Sequence, residues 1–173
     1  MRWQDQGLGE NSPSGERYTV VPRTLVFLVY GTEVLLLRGA TNKRLWAGKL
    51  NGIGGHIRPE EDVHSAARRE VFEETGLLVD DLRLRGVVHI AGQADAPGVL
   101  LFVLVGAAPS RQMLPSAEGT LEWHDPRRLP TDVIDDLPNL LPRILAADRA
   151  GTIVYGHYKS DIDGRMQFHF DVG

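Results

Sequence analysis

The segment GHIRPEEDVHSAARREVFEETGL, Gly55 to Leu77, sets three glutamates, Glu70, Glu73 and Glu74, close behind Arg69. It reads as a helix. Pro59 and the acids Glu60, Glu61 and Asp62 stand where a helix begins, and Gly76 stands where one ends. At about 100° per residue the three glutamates share one arc of roughly 100°. On the same wheel Val63, Ala66, Ala67 and Val71 form an apolar stripe, and Glu74 falls between Val63 and Ala67 in angle. A solvated charge face would lie opposite the core instead. Carboxylates crowded at the edge of a buried face repel one another, and desolvating them is costly unless a positive charge holds them. A hard divalent cation, Mg²⁺ or Mn²⁺, does this through oxygen ligands and brings phosphate with it.

Gly55, Glu61, Arg69, Glu70, Val71, Glu73, Glu74, Gly76 and Leu77 match every fixed position of the Nudix box, G-x5-E-x7-R-E-U-x-E-E-x-G-U, where U is a bulky aliphatic residue. So many specified positions at fixed spacing make a specific signal. The chain resembles a Nudix hydrolase. That resemblance implies an α/β (α+β) fold: an α/β/α sandwich with a mixed, partly barrel-like sheet and a catalytic loop-helix-loop. It implies hydrolysis of a nucleoside diphosphate linked to another moiety, X, by a metal-activated water attacking phosphorus in line. The family's pattern makes Glu70 and Glu74 metal ligands and Glu73 a ligand or an orienter of the water. Arg69 is then an orienter of a glutamate, and the Gly54 carbonyl a further ligand. Mg²⁺ is the implied cofactor, with Mn²⁺ as the alternative. Glu61 has two readings, a partner of these groups or a favourable charge near the helix N-terminus.

Beyond the box the chain is similar to the MutT-type branch that removes oxidised purine nucleoside triphosphates such as 8-oxo-dGTP. Trp46 and the run Asn51-Gly52-Ile53-Gly54-Gly55 resemble that group's Trp-Asn-Gly-Phe-Gly-Gly, although four residues here separate Trp46 from Asn51. Asp135-Asp136 resembles its acidic pair, which reads the base edge; a helix N-cap is the other reading. Val133-Ile134 stands where the group has an aromatic. In SAEGTLEW, Glu118 matches a glutamate that approaches the metal, or is a solvated loop residue. Arg38 reaches substrate phosphate or stays on the surface. The leading expectation is a (d)NTP cut to (d)NMP and pyrophosphate. The alternatives are another X (ADP-ribose, a nucleotide sugar, a dinucleoside polyphosphate or an isoprenoid diphosphate) and a non-catalytic nucleotide sensor.

The 173 residues suit one domain with a substantial core. Residues 1–16 read as a flexible N-terminal extension and 17–173 as a single Nudix domain. A net charge of −4 provides no basic footprint for a nucleic-acid polymer or an anionic membrane, so the expected partner is a small nucleotide. The resemblance is compatible with a homodimer. Cysteine is absent, which excludes thiol catalysis and zinc–thiolate sites. No apolar run reaches membrane-spanning length, and a cytoplasmic location is expected. Strands are expected over Tyr18 to Tyr30 with a bend at Pro22, Glu33 to Arg38, Leu82 to Ile90, Val99 to Val105 and Gly119 to Trp123. A helix is expected over Asp136 to Asp148, with Pro142 marking a late start or a kink, and a hairpin closes the chain.

Overall fold

The computed structural model describes residues 18–41, 47–92, 96–116 and 118–173. The extension expected over residues 1–16 lies outside them. The strands are β1 (Val20–Tyr30), β2 (Glu33–Gly39), β3 (Leu50–Asn51), β4 (Leu82–Ile90), β5 (Gly98–Ala107), β6 (Gly119–His124), β7 (Val154–Ser160) and β8 (Met166–Val172). The helices are α1 (Val63–Thr75) and α2 (Leu137–Ala150). All the strands join one sheet in the order β3-β2-β1-β5-β4-β7-β8, with β6 also on β2. The β1–β5 and β4–β7 pairs are parallel and the others antiparallel, so the sheet is mixed as expected. It does not close into a barrel: among the described residues β8 pairs only with β7, and β6 only with β2. No helix among the described residues is long and apolar enough to cross a membrane.

Alternation along the strands makes the sandwich. On β1, Leu25 and Phe27 face one core while Val26 and Leu28 face the other. α2 covers the first core with Leu137, Leu140, Leu141, Ile144 and Ala147, and α1 covers the second with Ala67 and Val71. A strand apolar at every position therefore suits the middle of the sheet. In β5 this holds for Val103 to Val105; Val99 and Leu101 are only half-buried because they wall a cavity. Pro22 does not interrupt β1, whose register with β5 runs unbroken through it. Thr24 and Val26 donate their N–H groups to a glycine-rich segment, so Pro22, in phase with them, lacks its donor on that edge and spares the pairing with β5.

What positions the site is a fork between β1 and β2. The two pair only from Leu28 to Tyr30 and from Glu33 to Leu35, around the turn at Gly31-Thr32. Beyond that they diverge, and residues 50–56 fill the gap. Leu50 and Asn51 pair with Arg38 and Leu37 of β2, while the carbonyls of Ile53 and Gly55 accept from Val26 and Thr24 of β1, at 2.6 and 2.9 Å. The same segment anchors the approach to α2: Leu50 N–H donates to Asp132 O at 2.9 Å, and Ile134 N–H to Leu50 O at 3.0 Å.

α1 starts at Val63, about a turn later than the proline suggests. Asp62 is its N-cap, accepting from His64 and Ser65 N–H at 2.8 and 2.9 Å, and Gly76 ends it in the left-handed conformation. α2 starts at Leu137 and runs through Pro142, so its start is not late. Asp136 O accepts from both Asn139 and Leu140 at 2.9 Å, which secures the first turn without the Pro138 N–H.

Candidate active site

Glu70, Glu73 and Glu74 of α1 line one depression with Glu118, Gly54, Gly55, His56, Arg23, Arg58 and Arg69. Arg69 organises it. Its Nε and Nη2 donate to the two oxygens of Glu61 at 2.6 and 2.9 Å, Nη1 to Glu70 at 2.7 Å and Glu73 at 3.0 Å, and Nη2 also to His56 O at 3.0 Å. The Arg69 hydrogen bonds hold the Glu61 carboxyl down to about 2, and those of Glu61 push Arg69 above its ordinary value. Of the two readings of Glu61, the partner role fits: its carboxylate takes Arg69 and the Arg58 N–H, while Asp62 caps the helix.

Gly55 gives Glu70 its place. A Cβ there would lie 2.6 Å from the Glu70 Cδ, so only a residue without a side chain lets this carboxyl lie against the loop. Gly54 has φ of 149°, and a Cβ on it would collide with the Thr24 carbonyl. The carbonyls on either side are taken by β1, whereas that of Gly54 has no backbone partner among the described residues. Glu74 is 4% exposed, between the helix and the core, as its place on the wheel implied.

This donor set fits a hard divalent cation. Four carboxylates and a backbone carbonyl offer only oxygen. Among the described residues no three acidic or histidine side chains already converge on a metal position. Arg69 bonds one oxygen of Glu70 and one of Glu73.

A second cavity of about 320 Å³ adjoins the first, and the two share Arg23 and Gly54. Its walls are mainly apolar, with Leu25, Ile90, Val99, Leu101, Ile134 and Phe168. Asn51, Asp135, Asp136 and Tyr158 bring polar groups to it. Asn51 Oδ1 accepts from Gly52 N–H at 2.7 Å, leaving its amide N–H groups for a ligand. Asp136 occupies the N-cap position of α2, yet its side chain makes no capping bond. It lies instead in this half-buried wall, where burial pushes its carboxyl above the usual range. The buried Tyr158 hydroxyl has no partner of ordinary hydrogen-bond geometry; burial first, and then the Asp136 charge, push it above its usual range. Asp135 is exposed at the rim and paired with Lys49 at 2.8 Å.

One sequence expectation falls elsewhere. Arg38 is not among the residues lining either cavity. Its guanidinium binds Glu122, Asp132 and the Gly48 carbonyl, because β6 pairs with β2 and brings Glu122 across. Trp46 lies outside the described residues. Sequence reasoning missed Arg23, Tyr158 and Phe168. A lone charge in the apolar run VVPRTLVFLVY is the one signal that pointed to Arg23.

A family model described as NUDIX domain matches residues 20–144. The oxidized purine nucleoside triphosphate hydrolase of Mus musculus is 30% identical over 139 residues, which cover 79% of this chain and 84% of that protein. The Danio rerio protein of the same name is 40% identical over 81 residues, 46% of this chain and 51% of that protein, so the match spans about half the zebrafish relative. The crystal structure of a MutT protein from Bacillus halodurans shares the fold, with a TM-score of 0.72 at 24% identity over 88% of this chain and 98% of that one. The box geometry around Arg69 and the match over most of the chain agree, and the chain belongs to the Nudix family, as one of its hydrolases.

Proposed function

We propose that this hydrolase cuts a purine nucleoside triphosphate to its monophosphate and pyrophosphate, with oxidised purines such as 8-oxo-dGTP among its substrates. The observation that carries this reading is the adjacency of two unlike cavities. An apolar one with an amide and an acid pair shares Arg23 and Gly54 with one lined with carboxylates. A flat, polar-edged base suits the first and a polyphosphate with its cations the second. The names of the mouse and zebrafish relatives point the same way.

Glu70, Glu73, Glu74, Glu118 and the Gly54 carbonyl would hold Mg²⁺ or Mn²⁺. Bound there, the cation supplies an activated water and neutralises charge on the phosphoryl oxygens. Arg69 holds Glu70 and Glu73 in place on a rigid helix, as a demanding octahedral ion requires. Asn51 donates to the base edge. Asp136 keeps its proton to a higher pH than an exposed aspartate, so it can donate as well as accept.

The test is product analysis with Mg²⁺ over normal and oxidised dNTPs, ADP-ribose, nucleotide sugars and dinucleoside polyphosphates. Monophosphate and pyrophosphate, released fastest from an oxidised purine, are expected. Turnover confined to ADP-ribose or a sugar conjugate would preserve the phosphorus chemistry and remove the base-reading role of Asn51 and Asp136.

A further inference from the structure

We infer that Arg23 grips the phosphate next to the sugar, joining the base cavity to the carboxylate depression; this rests on the nucleotide reading above. The two cavities share Arg23 and Gly54. A ligand with its base in one and its polyphosphate in the other passes between these two residues. The group that makes the crossing is the phosphate attached to the sugar.

Arg23 is the cation left over for that phosphate. Three arginines line the carboxylate depression. Arg69 is committed to Glu61, Glu70, Glu73 and the His56 carbonyl. Arg58 pairs with Glu73 at 3.6 Å. Arg23 makes no ion pair with any of the described residues. It is held on β1 directly opposite His56, in a half-buried position. Arg38, the other basic residue that a phosphate reading favours, is occupied by Glu122 and Asp132. With no ion pair to a described residue, this half-buried guanidinium is open to an anionic ligand. Its planar fork also matches two phosphate oxygens at once. The neighbouring glutamates make the charge more necessary, since they repel a polyphosphate that has no cation beside it.

Equilibrium titration of metal-free protein with purine nucleoside monophosphates, normal and oxidised, and with the matching nucleosides tests this. The proteins are wild type, Arg23→Gln and Arg23→Lys, each checked for folding by thermal melting. Arg23→Gln is expected to weaken monophosphate binding about tenfold to a hundredfold and to leave nucleoside binding within about twofold. Arg23→Lys recovers part of the loss, because lysine keeps the charge without the fork. Equal loss for monophosphate and nucleoside, or an unchanged monophosphate affinity, would overturn the assignment alone. A wild type that binds neither purine nucleoside nor monophosphate would overturn the nucleotide reading, and Arg23's role with it.

Discussion

Three glutamates within a little more than one helical turn meet three different surroundings. Glu70 lies under Gly55 and bonds Arg69, Glu73 is half exposed between Arg69 and Arg58, and Glu74 is nearly closed off from water. The burial of Glu74 was legible in the sequence, because a 100° step fixes which side chains share an angle with the apolar stripe. Replacing Glu73 or Glu74 with glutamine keeps the shape and removes the charge. Each variant is expected to lose at least about a hundredfold in kcat with little change in melting behaviour, read from pyrophosphate release beside a thermal melt. Asp136 was legible only as a choice between cap and base reader, since both roles want an acid at the start of a helix. Its raised pKa gives a test with a definite sign. The folded state holds this proton more tightly than the unfolded chain, so stability falls as pH rises from the ordinary aspartate range through the raised value. Asp136→Asn should therefore melt higher than wild type at neutral pH, and the gap should close on acidification below that window. Melting curves of both proteins across pH decide it, and a gap independent of pH would remove burial of this carboxyl as the cause.

At the scale of elements, the decisive feature is the wedge of residues 50–56 in the fork between β1 and β2. Its glycines were visible in the sequence, but its partners were not, because register with β1 and β2 is set by contacts far along the chain. The same limit hid the partner of Arg38, Glu122, which lies 84 residues away on β6. Gly54 and Gly55, adjacent in sequence, answer to different constraints. Alanine at Gly54 meets the Thr24 backbone and a backbone conformation that side chains rarely adopt, so Gly54→Ala is expected to destabilise the fold by about 1–3 kcal/mol. Alanine at Gly55 meets only the end of the Glu70 side chain, which can swing aside. Gly55→Ala should therefore melt close to wild type and still lose most of its turnover. Chemical denaturation and steady-state kinetics on the two variants separate the effects, and parallel losses in both would deny that Gly55 serves Glu70.

Across the whole molecule, the apolar cavity proposed to take the base draws on residues from Arg23 to Phe168, brought together only by the complete sheet and the start of α2. The sequence indicated its polar members, Asn51, Asp135 and Asp136, because the resemblance carried them; its apolar walls have no local signature. The family match ends at residue 144, yet Tyr158, Met166 and Phe168 of the closing hairpin line the cavity. Selectivity among bases should thus depend on a part of the chain that the shared domain does not define. With Val133-Ile134 aliphatic, Phe168 is the phenylalanine on the cavity wall, and base stacking on an aromatic contributes about 1–3 kcal/mol. Phe168→Ala is expected to raise KM for the preferred nucleotide by about tenfold and to leave kcat near wild type. Phe170 is the control. Both rings pack edge-on against Tyr158, at 4.8 Å for Phe168 and 5.6 Å for Phe170, but Phe170 stands outside the cavity and lies under Arg143. Phe170→Ala should then lower stability without moving KM. If both substitutions raise KM alike, the effect passes through Tyr158 packing and Phe168 does not touch the base; if KM rises only for Phe168→Ala, the hairpin contributes directly to base recognition.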